Sequence, residues 1–185
     1  NYKTRQISLV FCVVFLTKKR GAMFEIGETI IHKRDICKVV DILEKYRDDG
    51  DYYKLRVLDD SGVVIYSPVE NTFGLLRRPI SKADALELIE NIPDIEPVQL
   101  SKMNVGQEYK ALVDSGRHAD LVRVIKTSYL RREEKEAVRK KPSENDRIYF
   151  RSAEQVLYDE LAVSLGITFT QARDFVVSRV AALTA

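Results

Sequence analysis

Two histidines and two cysteines are the side chains most able to bind a metal or act in catalysis. His32 and His118 lie far apart, and neither has a cysteine or carboxylate at the spacing of a metal site or a catalytic triad. Cys12 and Cys37 form no CxxC pair, so neither a zinc site nor a disulfide framework is predicted. These residues favour a protein that is not an enzyme, uses no metal or cofactor and works in a reducing cytoplasm.

Basic side chains form a more informative pattern. Arg131, Arg132 and Lys140 cluster toward the end of one predicted helix, and Arg147 and Arg151 lie one turn apart at the start of the next. A helical hairpin would bring the two clusters together, where they could neutralise several phosphates of DNA. Interleaved glutamates dilute the first cluster, and cations near a helix C-terminus also stabilise the helix dipole. A purely structural role therefore stays open.

The net charge differs between three segments of the chain, which indicates how the elements that position these residues are organised. Of the 185 residues, 45% are hydrophobic and 31% charged, which is typical of a globular protein. The net charge is +5 for residues 1–22, −6 for 23–100 and +3 for 101–185. An acidic middle followed by a basic end indicates two modules with different partners, although two solvated surfaces of uneven charge would give the same pattern.

The first 22 residues contain an apolar run, 7–16, between basic flanks. The run is shorter than the roughly 20 residues that span a bilayer. A basic cluster follows it where a secretory signal would have small residues and a cleavage site. We expect residues 1–22 to be a leader or expression-derived sequence outside the fold that begins at Met23. A membrane-surface anchor is the alternative.

Short runs rich in β-branched and aromatic residues predict an antiparallel sheet after Met23, with strands at 29–31, 36–43, 52–58 and 63–66. Acidic, glycine-containing segments at 48–51 and 59–62 predict two hairpin turns. Alternation places Tyr53, Leu55 and Val57 toward a core. Pro68 is expected to close the last strand, because proline cannot donate to a central ladder.

After Pro79 the apolar spacing becomes helical, with stripes typical of a bundle core. Helices are predicted from Ser81 to Pro93, over 103–113, from 118 to about 140, from Ser143 to 165 and from Thr168 to 182. Ser81, Ser143 and Thr168 are expected to cap three of them. The predicted fold is α+β: a β module at 23–80, a short helix and linker at 81–100, and a compact all-helical module at 101–185.

Two further functions are consistent with the helical pattern. The turn around Gly166 resembles that of a helix-turn-helix, which would make the protein a sequence-specific repressor that uses Gln171 and Arg173. The apolar face of that last helix is instead typical of a helix that packs against the rest of its module. A protein-interaction adaptor, with an acidic sheet that binds a basic partner and helices that never meet DNA, is the other alternative.

Several segments together resemble the CarD/CdnL family of bacterial transcription regulators, whose first module also occurs in the transcription-repair coupling factor. The resemblance covers Met23 to about Val180. Its motifs are 23–28, 36–39, 67–71, Tyr109-Lys110 followed by Ser115-Gly116, and 143–161. It implies a Tudor-like module that binds the β subunit of RNA polymerase, followed by a helical module that contacts promoter DNA at the upstream edge of the bubble and tunes open-complex stability.

The resemblance also implies two sets of contact residues in a monomer that has no membrane partner. The set expected to bind polymerase is Tyr46, Arg47, Val64, Ile65 and Tyr66. The set expected to contact DNA, through the backbone and the minor groove, is Lys102, Val105, Lys110, Arg131, Arg132, Lys140, Arg147 and Arg151.

The chain departs from the family pattern at three places. Relatives have arginines at two positions that contact polymerase. This chain has an arginine at neither, although Arg47 lies next to one of them. Many relatives have a tryptophan wedge where this chain has Val105, so we expect weaker stabilisation of open DNA. The usual glycine-rich turn after the first strand is Lys33-Arg34-Asp35 here.

Overall fold

The computed structural model describes residues 23–47, 50–58, 62–101 and 103–184. They form two compact units with the boundary between Arg78 and Pro79. The first is a sheet and the second is helical, so the predicted α+β class, with a β module followed by a helical module, is confirmed. The expectations for the leader at 1–22, for the centres of the two hairpin turns and for Lys102 lie outside the described residues.

The first unit is an antiparallel sheet with the strand order β4-β3-β2-β1-β5. Its strands are β1 (Thr29–His32), β2 (Asp35–Arg47), β3 (Gly50–Val57), β4 (Val64–Pro68) and β5 (Leu76–Arg77). The first four were predicted, with ends that differ by a few residues. β5 was not predicted. Pro68 ends β4, which is an edge strand and so tolerates a residue without an N–H group.

One face of this sheet forms the core of the first unit. Tyr53 and Leu55 are fully buried and Val57 nearly so, which confirms the predicted alternation. The Tyr53 hydroxyl accepts a hydrogen bond from the Phe24 N–H across 3.0 Å, and the two rings meet edge to face. This buried pair ties the segment that precedes β1 onto the sheet.

The helical unit follows the predicted helices closely. Its described helices are α1 (Lys82–Asn91), a 3-10 turn (Ile92–Asp94), α2 (Val105–Asp114), α3 (His118–Ala137), α4 (Glu144–Leu165) and α5 (Phe169–Thr184). The segment 81–100, expected to be a short helix and linker, packs into this unit because Ala85, Ile89 and Ile92 join its buried core. In the part of the chain that the structure describes, no helix is long and apolar enough to cross a membrane.

The three predicted cap residues all precede their helices, and two of them make capping hydrogen bonds. The Ser81 hydroxyl accepts from the N–H of Asp84, and Thr168 and Gln171 form a reciprocal pair of side-chain to backbone hydrogen bonds. Ser143 is the N-cap residue of α4, as predicted, but its side chain makes no capping hydrogen bond within the described residues. Asp146, the expected fourth member of that cap, is buried instead.

A buried aspartate fixes the turn between α2 and α3. The carboxylate of Asp120 accepts from the Ser115 hydroxyl at 2.8 Å, from Arg117 Nε at 2.7 Å and from Arg123 Nη1 at 2.9 Å. Burial alone would raise the pKa of Asp120, but these three hydrogen bonds outweigh it and hold the pKa below its usual value. The turn is therefore rigidly connected to the start of α3.

Candidate binding surfaces

The edge of the sheet presents side chains to solvent in strict alternation along β4. Val64 and Tyr66 point outward and are each 39% exposed, whereas Ile65 packs partly buried against the core of the first unit. Among the described residues β4 pairs only with β3, through the register Lys54↔Tyr66. Its outer edge is therefore a row of backbone groups available to another strand.

Three tyrosines form an aromatic cluster on the outward face near this edge. The rings of Tyr46 and Tyr66 stack with centroids 5.0 Å apart and planes within 14°, and Tyr52 meets Tyr46 edge to face. The guanidinium of Arg47 lies 5.5 Å from the Tyr46 ring centroid. Four of the five residues expected to bind polymerase thus form one exposed patch, while Ile65 serves mainly as core. Tyr52 was missed, although its alternation with Tyr53 places it outward.

In the helical unit, the first half of α2 packs against the first turns of α4. The Tyr109 hydroxyl donates to the Asp146 carboxylate across 3.0 Å, and the rings of Tyr109 and Tyr149 are 5.5 Å apart. Gly106 lies so close to Asn145 that an added Cβ would be 3.3 Å from the amide nitrogen. The helix that carries Lys110 is therefore fixed next to the helix end that carries Arg147.

Asp146 is the buried centre of a cluster of charged side chains. Besides Tyr109, it accepts a hydrogen bond from Arg131 Nε at 3.0 Å and lies 3.4 Å from Lys135 Nζ. Burial, followed by the Asp146 charge and hydrogen bond, raises the pKa of the Tyr109 hydroxyl, so that it remains a donor. The Arg131 guanidinium is engaged with this buried carboxylate. Only Nε is engaged with that carboxylate, and the side chain is partly exposed, so its expected role as a phosphate contact would depend on the remaining N–H groups of the guanidinium.

The arginines of α3 and α4 meet around a surface pocket of about 300 Å³. It is lined by Ser128, Arg132, Pro142, Asp146, Arg147, Phe150, Arg151 and Glu154. The helical hairpin thus brings together Arg132, Arg147 and Arg151, three of the residues predicted to contact DNA. Phe150 was not predicted as part of the site. Its place one residue before Arg151 was the only available signal.

Lys110 and Arg147 each make an ion pair within their own helix, with Asp114 and Glu144 respectively. Both pairs are solvent-exposed, and exposed pairs of this kind contribute little to stability. Glu144 raises the pKa of the Arg147 guanidinium through a hydrogen bond. Either cation can exchange its carboxylate partner for a phosphate at little cost.

The remaining expected contacts lie at different places. Val105, the expected wedge, begins α2 and packs partly buried against the helical core. Met103, two residues earlier, is 93% exposed. It was missed as a candidate contact, because a methionine at the start of a predicted helix is usually interpreted as a core residue. Lys140 is exposed beyond the end of α3, where its N–H bonds to the carbonyl of Lys135.

The residues of the helix-turn-helix alternative are engaged in local structure. Gly166 ends α4 with a φ of +69°, as the resemblance to that turn requires. Gln171, however, caps α5 through Thr168, and Arg173 pairs with Asp174. Ala172 and Val176 are buried in the helical core. The last helix therefore packs on the unit with one face, and its candidate base-reading side chains already have partners.

Both histidines lie away from these surfaces. His118 Nε2 is 3.0 Å from the buried carboxylate of Glu160, and His32 ends β1. Burial, aided by the charge of Lys33, lowers the pKa of His32, while Asp35 raises it to a smaller extent. Among the described residues no group of histidine, cysteine and carboxylate side chains could hold a metal ion.

Comparison with known proteins identifies no family for the chain. It matches no protein-family model, and no curated protein matches it.

Proposed function

We propose that the chain is a non-enzymatic, cytoplasmic transcription regulator similar to the CarD/CdnL family. Its sheet unit docks on the β subunit of RNA polymerase, and its helical unit contacts promoter DNA through the backbone and minor groove. By binding the open promoter complex better than the closed one, it shifts the equilibrium between them. The observation that carries the proposal is the exposed stack of Tyr46 on Tyr66 at the edge strand β4.

The sheet edge supports docking by strand addition. An incoming strand would pair with the open backbone of β4, which provides affinity, while Val64 and Tyr66 provide specificity from alternate positions. Stacked tyrosines are large, rigid and amphipathic, which is typical of residues that dominate protein interfaces. Main-chain pairing also tolerates the loss of the arginines that relatives have at this surface.

The helical unit supports DNA contact through positive charge that is not buried. Among the residues that the structure describes, Lys110 and Arg147 pair only with exposed acids, and Arg151 is exposed on the turn that follows Arg147. Such a cluster would bind phosphates in a salt-dependent and largely sequence-independent manner. The partly buried Val105 and the exposed Met103 lie at the adjacent end of α2, where an apolar side chain could enter between base steps.

Capture of purified polymerase β subunit by the full chain tests the docking half of the proposal. We expect capture by the unaltered protein, and a loss of at least about ten-fold in affinity for Tyr46→Ala combined with Tyr66→Ala, since each interface anchor contributes roughly 1–2 kcal/mol. Phe73→Ala is the matched control, because Phe73 is an aromatic residue of the same unit, 84% exposed and outside the tyrosine cluster. Failure of the unaltered protein to capture the subunit, or equal loss in the control, contradicts the proposal.

A further inference from the structure

The pocket between α3 and α4 is lined by three arginines that come from two helices. Arg132 comes from α3, and Arg147 and Arg151 come from the first two turns of α4. Within the described residues Arg151 makes no ion pair, and Arg147 pairs with the exposed Glu144. The charge of Glu144 acts on both arginines, so a phosphate would have to displace this exposed acid. Three cations around one concave surface are typical of a site for a phosphate group.

Arg132 is held in place by aromatic rings more than by acids. Its guanidinium lies 5.1 Å from the Tyr129 ring centroid and 6.0 Å from that of Phe150. Its nearest carboxylates, on Glu133 and Glu136, are 3.8 and 3.7 Å away, too far for hydrogen bonds. The Nε of Arg132 is buried and has no hydrogen-bond partner in the described part of the chain. A polar atom in that state is expected to gain from an acceptor.

The two acids that line the pocket repel an anion less than their charges imply. The charge of Asp146 is compensated by Arg131 and Lys135. Burial raises the pKa of Glu154, against the opposing charges of Arg173 and Arg132. The carboxylate oxygens can also accept hydrogen bonds from hydroxyl or amino groups of a ligand.

The rest of the pocket wall is apolar. Phe150 and Pro142 contribute to it, and its volume of about 300 Å³ is at the small end of ligand pockets. An inorganic anion would leave these side chains unused. A planar ring could stack against Phe150 or against the plane of an arginine, as bases do on aromatic and guanidinium groups.

We propose that this pocket binds a nucleoside monophosphate, with its phosphate held by Arg147 and Arg151 and its base beside Phe150 and Arg132. The binding site goes beyond the proposed role at promoters, since it requires neither polymerase nor DNA. Because Arg132, Arg147 and Arg151 also belong to the expected DNA-contacting set, an occupied pocket competes with duplex DNA for the same cations. The nucleotide therefore acts as a negative effector of DNA contact.

Titration of the full chain with adenosine 5′-monophosphate, ribose 5-phosphate and inorganic phosphate tests the ligand class. We expect NMR chemical-shift changes at Phe150 and its neighbours. We also expect the affinity for the nucleotide to be about ten-fold higher than that for ribose 5-phosphate, because one stacked base contributes about this much to binding. Equal affinity for all three ligands would reduce the pocket to a general anion patch and overturn the proposal. So would the absence of binding at millimolar concentration.

Variants separate pocket binding from general charge attraction. Arg151→Ala should weaken nucleotide binding by at least about ten-fold, the loss expected for one charge-assisted hydrogen bond. Phe150→Leu, which keeps an apolar wall, should remove the preference over ribose 5-phosphate. Arg179→Ala, which removes an exposed arginine of α5 that pairs with Glu90 of α1, is the control and should bind normally. Equal weakening in the control contradicts a defined pocket, provided that circular dichroism shows all variants folded.

The experiment can fail independently of the proposed function. Nucleotide titration uses no DNA, and DNA affinity is measured first without nucleotide. DNA binding without nucleotide binding rejects the pocket alone, and nucleotide binding without DNA binding rejects the promoter contact alone. Where both occur, the nucleotide should lower the apparent DNA affinity, and an unchanged affinity at saturating nucleotide overturns the competition.

Discussion

The Tyr109 hydroxyl donates a hydrogen bond to the buried carboxylate of Asp146, across 3.0 Å, and thereby joins α2 to the first turn of α4. The same carboxylate holds Arg131 and Lys135 of α3. The packing of α2, α3 and α4 is thus connected through the single carboxylate of Asp146. This connection fixes the helix that carries Lys110 against the helix end that carries Arg147 without using either cation, because each pairs with an acid of its own helix.

Replacing Asp146 with alanine should destabilise the helical unit by about 2–3 kcal/mol, because the Tyr109 hydroxyl loses its buried acceptor and two cations lose their partner. Tyr109→Phe should cost about 1 kcal/mol, since Asp146 keeps both cations. Urea unfolding followed by circular dichroism measures the differences. Asp174→Ala, which removes an exposed acid, should change stability by less than about 0.5 kcal/mol. A similar loss in that control would contradict the special role of Asp146.

Charge reversal at Lys110 and Arg147 together should weaken binding to duplex DNA and lower its salt dependence. Each phosphate contact contributes about 0.9 to the slope of log affinity against log salt, so the double variant should lose roughly 2 units of slope. Fluorescence anisotropy at several salt concentrations measures this slope. Arg179→Glu reverses an exposed charge on α5 and is the control. Unchanged affinity of the double variant at low salt would argue strongly against DNA contact.

The stability of the sheet unit should fall as the pH is lowered through about 6.5. Burial lowers the pKa of His32, so the unfolded chain takes up a proton at a higher pH than the folded chain. The stability contributed by neutral His32 is complete above 6.5 and is lost below it, by at most about 1.4 kcal/mol per pH unit. Hydrogen exchange of the Ile30 and Val39 amides at pH 5 to 7.5 measures the effect. His32→Gln should flatten the profile, and an unchanged profile in that variant would assign the pH dependence to other groups.

Lys33→Gly should stabilise the sheet unit by about 0.5–1 kcal/mol. Lys33 has a φ of +58°, a left-handed conformation that costs a residue with a Cβ roughly 1–2 kcal/mol and glycine nothing, although glycine loses more entropy on folding. Arg34→Gly is the matched control in the same turn. Because Arg34 has no positive φ, the change should lower stability. Thermal unfolding of both variants tests the pair, and stabilisation by both would contradict this account of the turn.

The sequence alone predicts those elements whose pattern depends on residues close together in the chain. The alternation of Tyr53, Leu55 and Val57 follows from the pleat, and the caps at Ser81 and Thr168 follow from hydrogen bonds within one turn. β5 could not be predicted in this way. It is two residues long, too short for a period, and it exists because Leu76 and Arg77 pair with β1 over a long stretch of chain.

The candidate surfaces also depend on contacts between distant segments, which local sequence patterns do not predict. Arg147 and Arg151 could be paired from their helical spacing, but their meeting with Arg132 depends on how α3 packs on α4. Asp146 looked like part of a helix cap because it follows Ser143 by three residues. In the folded protein it turns inward, because Tyr109 and two cations of other helices offer it better partners than the backbone of its own first turn.

The way α1 packs defines where the chain can be divided. A recombinant helical fragment that starts at residue 101 would lack Ala85, Ile89 and Ile92, and it would present their vacated groove to solvent. Such a fragment is expected to aggregate or to be molten, and its failure to bind DNA would say nothing about the intact protein. Dissection or chimaera design should place the junction between Arg78 and Pro79.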